Sequence, residues 1–132
     1  MGTTSPIQAV HEEIDFHNNN KKISVKIDSG YVTLGSYSIF YTCKDLDPVY
    51  ITKNADFNGP SNIHEIPIEL NEIENCSLFI KGKYRPAPGH NQIKVYYTFH
   101  QNEEEIHKTE IKETSEKPFA RCEHSFEFKE KD

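Results

Sequence analysis

The feature that most constrains this chain is a period-two alternation of apolar and polar residues, which returns in segment after segment. It is clearest near the end. Ala120, Cys122, His124, Phe126 and Phe128 share one parity, and Arg121, Glu123, Ser125 and Glu127 share the other. Successive side chains of a β-strand point to opposite faces, so such a segment has one face for a core and one for water. The same alternation runs through Ile93, Val95, Tyr97 and Phe99, through Ile66, Ile68 and Leu70, and through Ile23, Val25 and Ile27. The kind of apolar residue agrees with it. Ile, Val, Phe and Tyr together number 34, whereas Ala, Leu and Met together number 9. The first group suits a pleated, half-buried surface, and the second is what helices are built from.

Turn signals divide the chain into seven to nine short strands. The segment around Val10, Ile14 and Phe16 alternates and is followed by a polar turn at residues 17–22. A helix starting at Ser5-Pro6 is the rival reading there. In the long run from Ser29 to Cys43 the apolar parity changes from Val32 and Leu34 to Tyr37, Ile39, Tyr41 and Cys43, which predicts an inserted residue at Gly35-Ser36. Pro67 has no N–H to give a ladder, so residues 63–70 are expected at an edge or beside a bulge. The last third predicts a three-stranded antiparallel meander. The expected fold is therefore an all-β antiparallel sandwich (Ig-like, C2-like or jelly-roll-like), with a small closed β-barrel as the alternative.

At 132 residues the chain is expected to form a single domain over 1–132, with residues 1–8 as a loose arm. The formal charge of −6 argues against a nucleic-acid partner, because phosphate binding draws on Lys and Arg. A local basic spot at Lys81, Lys83 and Arg85 is the one exception. Protonating all seven histidines would move the charge from −6 to about +1. Cys43, Cys76 and Cys122 are odd in number and widely spaced, and no secretory leader is visible, so reduced thiols and a cytoplasmic location are expected. No apolar run approaches the length of a membrane span.

Few residues point to chemistry. Asp45 and Asp47, with Asp56 and Asn58 beyond a short apolar run at Val49 and Ile51, are candidate calcium ligands. Asp56 to Gly59 opens like an EF-hand loop, but the twelfth position is Pro67 and not a glutamate. Leu46 to Thr52 resembles the aspartate-proline segment of C2 domains over about five residues, which would imply calcium-dependent binding. The second pair of aspartates that C2 domains place in a distant loop does not follow Asp47. Cys122 and His124 share a strand face and could be a nucleophile pair or half a zinc site, although their apolar neighbours argue for core. His11, Glu13, Asp15 and His17 form a polar strand face that would hold a metal only weakly. Tyr96 is expected to face outward if Tyr97 is inside, and Tyr84, Arg85 and Tyr96 form the candidate recognition spot. No nucleophile elbow, phosphate-binding loop, zinc-protease or dinucleotide motif occurs, and no cofactor other than calcium is considered. The expected function is a small soluble non-enzymatic module that binds another protein or self-associates. The alternatives are a calcium-dependent module and a barrel whose tyrosines and His124 line a small-ligand cavity.

Overall fold

The computed structural model describes residues 8–29, 33–44, 46–56, 62–114 and 120–131. Nine strands occur among them: β1 (Gln8–Phe16), β2 (Ile23–Ser29), β3 (Thr33–Cys43), β4 (Val49–Asp56), β5 (Ile63–Glu65), β6 (Cys76–Pro86), β7 (Gln92–Gln101), β8 (Glu104–Thr114) and β9 (Ala120–Glu130). A short 3-10 turn at Ile73–Asn75 leads into β6. The strands form a five-stranded sheet in the order β1-β9-β6-β3-β4 and a four-stranded sheet in the order β5-β2-β7-β8. The two sheets stack as a sandwich and do not close into a barrel. No helix among the described residues is long and apolar enough to cross a membrane.

The alternation read from sequence sets the layers. On β2, β6 and β9, alternate residues are buried. Ile14, Ile39, Leu78, Ile80, Tyr97 and Phe99 are fully buried in a single core cluster that takes residues from both sheets. Truncating a residue such as Phe99 would cost about 3–5 kcal/mol, from lost transfer energy plus the cavity left behind.

Four sequence expectations are corrected. β9 does not continue a meander with β7 and β8. It crosses to the other sheet and lies between β1 and β6. The reason is packing: Phe126 and Phe128 meet Phe99 across the core at 4.9 Å and 6.2 Å between ring centroids, so β7 and β9 face each other instead of pairing. The sandwich is not purely antiparallel, because β1 pairs with β9 in parallel. First and last strands share no hairpin, so nothing forces them to be antiparallel. Gly35 is not an insertion, since β3 pairs with β6 without a shift from Thr33 to Cys43. Gly35 has φ +146°, and a Cβ there would collide with the Lys83 carbonyl oxygen, so glycine permits close approach of the two backbones. The irregularity lies on the other side of β3, against β4.

The fourth correction concerns the thiols. Cys43 and Cys76 face each other on β3 and β6 and form a disulfide across 33 residues, while Cys122 is buried and belongs to no disulfide. The expected arm over residues 1–8 falls mostly outside the described residues, and Gln8 already belongs to β1.

Polar side chains also clasp the two sheets together. The Tyr37 hydroxyl on β3 meets Nε2 of His64 on β5 at 2.7 Å. The Tyr84 hydroxyl on β6 bonds that of Tyr97 on β7. The Lys94 N–H donates to Oγ1 of Thr33 at 3.3 Å. Burial holds these phenols protonated: Tyr37 is pushed up to about 12, and Tyr84 and Tyr97 lie well above the ordinary tyrosine value.

Candidate functional site

The candidate recognition residues do not meet. Tyr84 is fully buried, with its ring folded over its own strand at Gly82, where any Cβ would collide with it. Arg85 is exposed on the outer face of the five-stranded sheet. Tyr96 is half-buried on the outer face of the four-stranded sheet, with Nζ of Lys94 and of Lys108 5.4 Å and 4.4 Å from its ring centroid. Arg85 and Tyr96 therefore lie on opposite sides of the sandwich, and Tyr84 lies between the layers. Of the basic spot, Lys81, Lys83 and Arg85 do share one exposed face of β6.

The candidate calcium residues are also spread. Asp45 lies outside the described residues, and Asp47 is exposed just before β4. β4 runs from Val49 to Asp56, longer than the short strand expected. It lies between Asp47 and Asp56, which are nine residues apart, about 30 Å at strand rise. Among the described residues no group of three His, Cys, Asp or Glu is placed to hold a metal ion. His11, Glu13 and Asp15 face solvent along β1.

Two other constellations emerge. The first crosses the whole outer face of the five-stranded sheet in one row. Phe40 on β3 lies opposite Tyr50 on β4 and Phe79 on β6; Phe79 lies opposite Ser125 on β9, and Ser125 opposite His11 on β1. The Phe40 and Phe79 rings stack at 4.9 Å and 11°, and Tyr50 leans on Phe40 at 5.2 Å. His11 Nδ1 bonds the Ser125 hydroxyl at 2.8 Å. Nζ of Lys53 lies 4.4 Å above the Tyr50 ring, and Nζ of Lys81 lies 5.4 Å above that of Phe40 while pairing with Glu123 at 3.1 Å. Next to the row, an open groove of about 330 Å³ is lined by residues that include Ser36, Ser38, Lys81, Lys83, Arg121 and Glu123. At its β4 end the row closes with Tyr50, which is 49% exposed.

The second constellation lies at the seam between β1 and β8. Glu12 points inward, and its carboxylate accepts a bond from the Thr109 hydroxyl at 2.7 Å and contacts His107 Nε2 at 3.1 Å. His124 packs edge-on to Tyr97 and stacked against Phe126, and its Nδ1 is buried without a partner. Burial pushes its pKa below the ordinary histidine value, and the Glu12 charge opposes that shift in part.

Both constellations had a signal in the sequence. Glu12 shares the inward parity of Val10, Ile14 and Phe16, and Phe40 and Phe79 are the bulky residues of outward parity on their strands. Comparison with protein-family models, with curated proteins and with solved structures finds no match to this chain.

Proposed function

We propose that the protein is a non-enzymatic binding module that docks a partner protein against the outer face of its five-stranded sheet. The observation that supports this reading is the aromatic row Tyr50–Phe40–Phe79, exposed at its Tyr50 end. Aromatic side chains are the usual anchors of protein interfaces, because they give large rigid contact area for little lost rotamer freedom. Lys53, Lys81, Lys83 and Arg121 flank the row in a chain of net charge −6. Glu123 lines the same groove and pairs with Lys81, so charges of both signs border the row, and the face suits a partner that presents an apolar segment flanked by polar groups.

The Cys43–Cys76 bond favours an oxidising compartment over the cytoplasm expected from the sequence. The calcium alternative has its own check. On the present reading millimolar calcium leaves the melting temperature unchanged, whereas a native-state calcium site would raise it.

The test is affinity capture from the source cells with three tagged forms: wild type, Tyr50→Ser with Phe79→Ser, and Tyr96→Ser. A partner seen with wild type should be lost at least about tenfold with the double variant and kept with Tyr96→Ser. Retention by the double variant, or equal loss in both, would overturn the assignment.

A further inference from the structure

The four-stranded sheet ends in β8, which pairs with β7 on one side and with no strand among the described residues on the other. An open strand edge carries unpaired N–H and C=O groups and is a template for another strand. This edge is not equally open along its length. At its start the sheets pinch together, with His17 Nε2 3.9 Å from Glu104 and Glu12 bonded to Thr109. Further on they part. Val10 is 40% exposed, although Ile14 and Phe16 on the same face of β1 are fully buried. A cleft of about 320 Å³ opens there along Lys108–Lys112, with Val10, Glu12 and His124 on its other wall.

We propose that this edge pairs with the same edge of a second copy, joining two four-stranded sheets antiparallel about a two-fold axis. Charge selects the occupant and the register. The solvent face of β8 carries Lys108, Glu110 and Lys112, alternating in sign. A two-fold axis normal to the sheet keeps inner residues opposite inner ones, so the central pair is one residue facing itself. Centred on Glu110, the pairing would oppose Glu110 with Glu110 and Lys108 with Lys112, all like charges. Centred on Ile111, it opposes Glu110 of each copy with Lys112 of the other, twice. Opposite charges directly across a strand pair stabilise, and like charges destabilise. Centring on Thr109 also opposes unlike charges, but it drives the pairing through the irregularity where β7 passes from Phe99 to His100. The Ile111 register uses only the regular stretch Lys108–Thr114. The two outer faces of the five-stranded sheets stay free, so the dimer would present two copies of the aromatic row.

A strand pair of this length is a small interface, below about 1,000 Å², so dimerisation is expected at roughly tens to hundreds of micromolar. Sedimentation equilibrium tests it on wild type, Glu110→Lys, Lys112→Glu and an equimolar mixture of the two variants. Circular dichroism confirms that each variant is folded. Wild type should dimerise, and each variant alone should be monomeric at the same concentration. The mixture should dimerise again, because both lysines of one variant then face both glutamates of the other across the two-fold. Wild type monomeric at about 500 µM, single variants that dimerise like wild type, or a mixture that stays monomeric would each overturn the proposal. None of these results depends on the partner surface proposed above.

Discussion

The two outer faces of the sandwich are built differently. The four-stranded sheet balances its charges locally: Lys26 lies 3.8 Å from Asp28, Lys94 3.7 Å from Glu110, and two lysines cover Tyr96, while Ile63 on its β5 edge is left 55% exposed. Exposed pairs of this kind contribute about 0–1 kcal/mol each and leave a face that water already satisfies. The five-stranded sheet instead carries rings in register across three strands, ending in the exposed Tyr50 on β4. Phe40 and Phe79 are half-buried and Tyr50 is exposed, and a cross-strand pair of this kind adds about 0.2–1 kcal/mol to stability.

The sheets also differ in how they are pinned, which orders the experiments. The five-stranded sheet has the disulfide at one end of its central strand β6, bonded to the neighbouring β3. Replacing Cys43 and Cys76 with Ser should lower stability by about 3–4 kcal/mol, the entropy of a loop of this length in the unfolded chain. Urea melts with and without reductant measure this, and a loss below about 1 kcal/mol would mean that the row does not rest on a covalently held platform.

The four-stranded sheet relies on Gln101 instead. This buried side chain accepts the His17 N–H at 2.7 Å and donates to the His17 carbonyl at 2.7 Å and the Lys21 carbonyl at 3.1 Å, fastening the β1–β2 connection to β7. Gln101→Ala leaves those groups without their partner and should cost about 2–3 kcal/mol in the same melts.

His124 is the counterexample among buried polar groups, because its Nδ1 has no partner. His124→Phe should therefore stabilise the fold by about 1 kcal/mol, where Gln101→Ala destabilises it. Acid should act on the same group in wild type. His64 and His124 both have pKa values lowered by burial, so below about 6.5 the unfolded chain binds more protons than the native one. Stability contributed by the neutral rings is present above that pH and lost as pH falls through the folded values. His124→Phe should flatten the fall in melting temperature below about pH 6.5, and an unchanged slope would remove His124 from this account.

The smallest effect on folding is expected on the outer faces themselves. Phe79→Ser and Tyr96→Ser should each change stability by less than about 1 kcal/mol. A large loss for Phe79→Ser would make the row a structural element and weaken its assignment as a surface for binding.

Parity along single strands is legible in the sequence alone. Tyr97 inside and Tyr96 outside, or Cys122 and His124 together in the core, follow from period two. Neighbourhood is not legible, because alternation names a face and not the strand next door. Cys43 and Cys76 meet only because β3 and β6 pair, and Phe40 reaches Phe79 through the same register. Tyr84 stands between Lys83 and Arg85 beside Pro86, which reads as loop. It is core because Gly82 clears space for its ring, a contact within one strand that no periodicity announces. Glu12 is readable from its parity, but an acid among Val10, Ile14 and Phe16 acquires meaning only when Thr109 and His107 are seen to meet it.

Site-specific photo-crosslinking tests the central difference between the faces most directly. A photoreactive phenylalanine analogue placed at Tyr50 and, separately, at Tyr96 would be activated in the source cells. The five-stranded face should yield a discrete adduct with another protein from position 50 and none from position 96. Adducts from position 96 alone, or the same adducts from both positions, would contradict it.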